Sequence, residues 1–137
     1  GTPHSALTPV GRMHGHRSAA LALARAGRLP GWPPLLVIHG SEDRVVSVNK
    51  GYSAVQAWAG ALGARARAAR TLQRGARYPA TITDYRIRGS TVATLVVVES
   101  LGHAWSGGAA REAHTDAKGP DASRMLWGFV ARQFERA

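Results

Sequence analysis

The run Leu35-Leu36-Val37-Ile38 constrains the fold more than any other feature of the chain. It follows the rigid connector Pro30-Gly31-Trp32-Pro33-Pro34 and runs into His39-Gly40-Ser41-Glu42-Asp43. A continuous apolar run bounded by turn-forming residues predicts a strand buried on both faces, as strands of parallel sheets are. The polar loop then opens at the strand's carboxyl end, where open α/β sheets gather their sites. The run therefore points to an α/β chain and marks 39–43 as the first place to look for chemistry.

The rest of the chain supplies matching elements. Residues 1–15 hold Gly, Pro, His and Thr without a period and read as loop. Residues 18–26 are rich in Ala and Leu, with Gly27 beyond, and predict a short helix with a glycine stop. Asn49 is placed to cap a helix whose apolar positions are Tyr52, Val55, Ala59 and Leu62, ended by Gly63. Arg65, Arg67, Arg70, Arg74 and Arg77 follow in an Ala-rich stretch, read as a helix extension or a loop facing solvent. Residues 81–88 alternate as a half-exposed strand, Gly89-Ser90 makes a two-residue turn, and 92–98 form a second buried strand. Residues 101–120 read as a long Gly-rich loop. Asp121 caps a last helix with Ala122, Met125, Leu126, Phe129 and Val130 on one face. Phe134 extends that stripe as core, and Trp127 lies at its edge on the same side as Phe134. The order is helix, strand, helix, strand, strand, helix, a layered α/β domain with two parallel strands and one antiparallel strand. Length suits one domain over residues 1–137.

Composition bounds the function classes. Hydrophobic residues make up 45 %, which separates the chain from disordered sequences. No apolar run approaches the roughly 18 residues of a membrane-spanning helix, so no membrane partner is expected. Residues 1–7 lack the basic start and apolar stretch of a signal peptide. There is no cysteine, which excludes disulfides and thiolate metal sites and leaves secreted, periplasmic and cytoplasmic locations all compatible. The net charge is +10, almost all of it arginine, and such a field favours polyanions through long-range attraction. No aromatic side chain sits between the arginines of 65–77, so the stacking platform of single-strand binders is missing and no specific nucleic acid is expected.

The chemistry-bearing pair is Asp43 and His103. Asp43 lies past the first buried strand, and His103 lies in Ser100-Leu101-Gly102-His103-Ala104-Trp105-Ser106-Gly107-Gly108 past the last. Two such strand ends face one crevice. A carboxylate bonded to one imidazole nitrogen fixes the tautomer and leaves the other nitrogen to take a proton from a nucleophile. Gly102, Gly107 and Gly108 let the backbone turn beside the histidine, and Trp105 offers a flat apolar wall to a substrate. Taken singly, His103 is an ordinary loop histidine; the post-strand aspartate and glycine context set it apart. His39 ends a strand and reads as a hydrogen-bonded structural residue. His14 and His16 have chelating spacing without a carboxylate, so no metal is expected.

These motifs resemble a known family. Residues 34–46, Pro-Leu-Leu-Val-Ile-His-Gly-Ser-Glu-Asp-Arg-Val-Val, are similar to the acid-bearing segment of polyhydroxybutyrate depolymerase-like esterases, members of the α/β-hydrolase superfamily. Gly102-His103-Ala104-Trp105-Ser106-Gly107-Gly108 resembles that family's histidine loop, and Gly119-Pro120-Asp121-Ala122-Ser123 the start of its final helix. The resemblance spans roughly residues 30–137. It implies a serine esterase in which Asp43, rather than Glu42, is the triad acid and His103 the base. It also implies hydroxyalkanoate-type, other acyl or feruloyl-type ester substrates, and no cofactor.

One part of the pattern is missing. The superfamily sets its serine in a Gly-x-Ser-x-Gly elbow ahead of the acid, and no such motif occurs here. Gly51-Tyr52-Ser53-Ala54-Val55 lacks the second glycine and follows the acid; Ser41 and Ser106 sit in other motifs. The expectation is a partial α/β-hydrolase sheet, the carboxyl-terminal portion of a larger hydrolase with flanking helices. Such a piece associates with its missing N-terminal half or with itself, since buried strands need neighbours. Two other readings stand beside this one: a non-catalytic basic module that binds polyanions, and a degenerate hydrolase with a vestigial site.

Overall fold

The computed structural model describes residues 33–135. The helix expected over 18–26, the loop over 1–15, most of the proline connector, and His4, His14 and His16 lie outside the described residues. Strand β1 is Leu35–Gly40, helix α1 Val48–Leu62, β2 Arg65–Ala66, β3 Arg70–Leu72, β4 Ala80–Ile87 and β5 Ser90–Val98. Short strands β6, Trp105–Ser106, and β7, Thr115–Asp116, precede helix α2, Ala122–Phe134. The main sheet runs β1-β5-β4-β2, with β3 also on β4. β1 and β5 are parallel, and β4 is antiparallel to β5. The described residues thus form a mixed α/β structure with a mixed sheet and two helices.

Each helix covers one face of the sheet. Val55 and Ala59 of α1 pack with Tyr85, Ala93 and Leu95, joined by Leu35 and Val37. On the other face Ala80, Val96, Val98 and Leu101 pack with Leu36, Ile38 and Ile82, and Met125 of α2 joins them. Odd and even residues of β1 therefore serve opposite layers, as the period of a strand requires. Val55 and Leu95 are 0 % and 1 % exposed; burying such a side chain stabilises by about 1.5–3 kcal/mol. No helix among the described residues is long and apolar enough to cross a membrane.

Several expectations need correction. β1 is only half-buried over Leu35–His39, because among the described residues it pairs with β5 on one edge alone. β5, paired with β1 on one side and β4 on the other, is buried from Ala93 through Val96. The cap of α1 is Ser47, whose side chain accepts from the Asn49 N–H, instead of Asn49 itself. Tyr52 faces outward, while Val55, Ala59 and Leu62 are buried and Gly63 ends the helix at φ 73° as expected. The arginine-rich stretch is no helix extension: Arg65–Ala66 and Arg70–Leu72 are edge strands on β4. Arg70 finds Asp84 at 2.6 Å, which explains why a charged residue tolerates a place in β4. The loop over 101–120 contains the parallel pair of β6 with β7. On α2, Ala122 and Phe129 are buried, but Leu126, Trp127 and Phe134 are 43 %, 74 % and 76 % exposed, so the stripe does not continue to Phe134 as core.

The hairpin turn lies one residue earlier than Gly89-Ser90. Ile87 pairs with Ser90, leaving Arg88 and Gly89 as the loop, at φ 49° and 79°. Two positive values in a two-residue loop define the turn that favours Asn-Gly, because asparagine tolerates the left-handed region better than arginine. Arg88→Asn is expected to stabilise the domain by about 0.5–1 kcal/mol, read as a raised urea midpoint at unchanged m-value.

Candidate active site

The two loops at the carboxyl ends of β1 and β5 are stitched together by backbone. The Ser41 N–H donates to Val98 O and the Glu42 N–H to Leu101 O, both at 2.9 Å. The Ser100 N–H donates to Ser41 Oγ at 3.0 Å. Gly40 makes this approach feasible: a Cβ there would lie 2.1 Å from Leu101 O and 2.7 Å from Gly102 O. The obstacle is backbone, which cannot swing aside. Gly102, by contrast, meets no neighbour with an added Cβ, whereas Gly107 holds φ 76° against Pro120 and Asp121. The sharp turn beside the histidine therefore rests on Gly107 more than on Gly102.

Asp43 sits in the turn that leaves β1, with 7 % of its side chain exposed. Its Oδ1 accepts the Val45 and Val46 N–H groups at 2.9 and 2.8 Å. Its Oδ2 accepts from His103 Nδ1 at 2.9 Å, and His39 Nε2 stands 3.4 Å from the same oxygen. Burial is the largest single influence on this carboxyl and pushes its pKa up. The Val46 N–H, the His103 ring and the Val45 N–H together outweigh burial, and the net shift is downward. Asp43 is thus held ionised and pointed at His103. Glu42 is exposed and contributes only backbone to the site.

His103 follows the buried Leu101, which anchors its loop in the core. Its Nδ1 faces an ionised carboxylate, so in the neutral ring Nδ1 carries the proton and Nε2 keeps the lone pair. Nε2 has no hydrogen-bond partner among the described residues, and 55 % of the side chain is exposed. Ile38, Asp43, Leu101, His103, Trp105 and His114 lie among the walls of an open cleft of about 430 Å³. Trp105 is 48 % exposed along this cleft. Its backbone N–H donates to His114 O at 2.7 Å, with His114 at φ 60°. The loop beneath is firm: Ser106 is buried and donates to Pro120 O at 2.6 Å, and Arg77 reaches Gly119 O at 2.8 Å.

The three residues singled out from sequence, Asp43, His103 and Trp105, thus share one cleft. His114 was missed, since nothing in its neighbours marks a residue that returns to the cleft through a short parallel strand. No serine hydroxyl among the described residues bonds His103. Ser41 Oγ accepts from Ser100, Ser106 is occupied with Pro120, and Ser53 lies on exposed helix surface. Among the described residues no three His, Cys, Asp or Glu side chains cluster as metal ligands.

Two outcomes follow. Gly40→Ala is expected to destabilise by about 3 kcal/mol, the upper end of overpacking costs, measured by urea unfolding. The pH dependence follows from the lowered Asp43 pKa. A carboxyl depressed in the folded state contributes stability above its unfolded pKa near 4, lost as pH falls through the folded value. Asp84 acts with the same sign: burial raises its pKa, but the Thr94 hydroxyl and Arg70 bring it below the ordinary value. Unfolding midpoints should therefore fall on acidification below about pH 5, and Asp43→Asn should flatten part of that fall.

No protein-family model matches the chain, and no curated protein matches it.

Proposed function

We propose that the chain supplies the acid and base of a serine-type ester hydrolase resembling the polyhydroxybutyrate depolymerase-like esterases. The observation that carries this reading is the 2.9 Å bond from His103 Nδ1 to a buried, ionised Asp43 across adjacent strand ends. With Nδ1 so engaged, Nε2 is the free base at the cleft. In the proposed reaction Nε2 takes the proton of a serine hydroxyl as its oxygen attacks the ester carbonyl. The tetrahedral intermediate collapses, and His103 hands that proton to the departing alcohol. Water repeats the sequence on the acyl-serine, and the carboxylic acid leaves. Asp43 holds the ring and stabilises the imidazolium formed in each half-reaction. Trp105, half-exposed beside His103, supplies an apolar wall suited to hydroxyalkanoate or aromatic acyl chains. The serine and its oxyanion donors come from a part of the enzyme outside residues 33–135, in the manner of an α/β-hydrolase sheet continued beyond the edge of β1 that has no partner among the described residues.

A second reading draws on the arginines. Arg70, Arg74, Arg77, Arg124 and Arg132 border a groove of about 580 Å³ between the sheet and α2, a place for a polyanion. Arg70 and Arg77 are already engaged with Asp84 and the Gly119 carbonyl, which weakens it.

The test is hydrolysis of p-nitrophenyl butyrate by the enzyme expressed with its upstream coding sequence. His103→Ala and Asp43→Asn should each lower kcat by about 10⁴-fold, while the 137-residue chain turns over little or no ester. An upstream-extended enzyme that neither hydrolyses acyl esters nor reacts with a serine-directed fluorophosphonate overturns the proposal. So does appreciable hydrolysis by the 137-residue chain that His103→Ala abolishes, since that would place the nucleophile within it. Salt-dependent heparin binding without esterase activity would favour the second reading.

A further inference from the structure

His39 holds a place that a merely buried histidine would not need. Its side chain is 11 % exposed. Its Nε2 lies 2.7 Å from Val46 O and 3.4 Å from Asp43 Oδ2. Both neighbours are acceptors only, a carbonyl and an ionised carboxylate, so Nε2 bears a proton. It donates that proton to Val46 O, and its positive end leans on the same carboxylate oxygen that His103 uses.

The partner of His39 is not an arbitrary carbonyl. Val46 also donates its own N–H to Asp43 Oδ1 at 2.8 Å. A continuous chain therefore runs from the His39 ring to the Val46 carbonyl, from the Val46 N–H to Asp43, and from Asp43 Oδ2 to His103 Nδ1. The ring itself is wedged from the other side by helix α1. A Cβ at Gly51 would lie 2.9 Å from His39 Nδ1 and 3.3 Å from Val37 Cγ1. Glycine at that buried helical position costs about 1 kcal/mol relative to alanine in propensity, and the room it leaves is filled by the imidazole.

We infer that His39 is a positioning residue: by fixing Val46 and facing Oδ2, it sets the orientation of Asp43 and so the tautomer of His103. The role rests on the hydrolase reading, but the coupling between the two histidines does not. Displacing the ring frees the 43–46 turn, both oxygens of Asp43 lose their register, and His103 Nδ1 loses its fixed partner.

The experiment reads the ring ¹⁵N shifts of His103 in the labelled 137-residue chain at a pH where imidazoles are neutral. The wild-type chain should show the Nδ1–H form. His39→Phe keeps an aromatic ring without the donor and should shift His103 toward the Nε2–H form that free imidazole favours. His39→Gln keeps an N–H for Val46 and should retain the wild-type form. In the upstream-extended enzyme His39→Phe should lower kcat about 10- to 100-fold with KM unchanged, and His39→Gln should recover most of the loss. A folded His39→Phe chain whose His103 tautomer stays as in the wild type overturns the inference. If His39→Phe fails to fold, Gly51→Ala decides: it presses on the ring without altering its chemistry, and an unchanged His103 tautomer there is equally fatal. A tautomer shift in a protein without esterase activity would sink the hydrolase reading and leave the coupling standing.

Discussion

Leu35 pairs with Ala93, and the register runs unbroken to Gly40 beside Val98. Because β1 and β5 are parallel, both chains leave the sheet at the same end and at the same height. Everything in the cleft depends on this. The loop carrying Asp43 and the loop carrying His103 begin side by side, and the Ser41 and Glu42 N–H groups fasten one to the other before either side chain is considered. A parallel pair is also the arrangement that needs cover on both faces, which α1 and α2 provide. Sequence separation is long, since residues 43 and 103 are joined by a helix and a hairpin, so the geometry is a product of the whole fold rather than of a local turn.

Much of this was legible in the chain, for reasons that differ by element. The strands declared themselves where apolar residues run almost without a break, as in Val92 to Val98, and the last helix through Asp121 and its apolar spacing. The edge strands Arg65–Ala66 and Arg70–Leu72 did not. An edge strand can be fully charged on its outer side, because its stability comes from backbone bonds to β4 instead of side-chain burial, and arginine in an Ala-rich context mimics a helix. The hairpin was displaced by one residue because glycine dominates the reading of a turn, although the non-glycine Arg88 also takes a positive φ. Ser47 outcompeted Asn49 as cap since the helix starts a turn earlier than its first buried residue. At the site, Asp43 and His103 could be named because each stands at a strand end in a distinctive loop. The link through Val46 could not, because its key atoms are backbone and any residue type would provide them.

The energetics of the carboxylate explain why so many groups converge on it. An ionised side chain with 7 % exposure suffers a desolvation cost of several kcal/mol unless donors replace the lost water. Val45 and Val46 satisfy Oδ1, His103 satisfies Oδ2, and His39 stands close to the latter. With its donors in place Asp43 remains ionised at neutral pH. Only the His103 contact depends on an exposed side chain; the others come from the turn itself and from His39 near the end of β1. The acid is therefore organised without His103, which docks onto a carboxylate already in position.

That asymmetry bears on which group of the cleft is left free. A buried charge left half-satisfied would destabilise this part of the sheet. Here the charge is compensated within residues 39–103, and among the described residues the group left without a partner is Nε2 of His103, for which exposure to water costs little. His103 thus lines the open cleft together with Trp105, its Nε2 left to water.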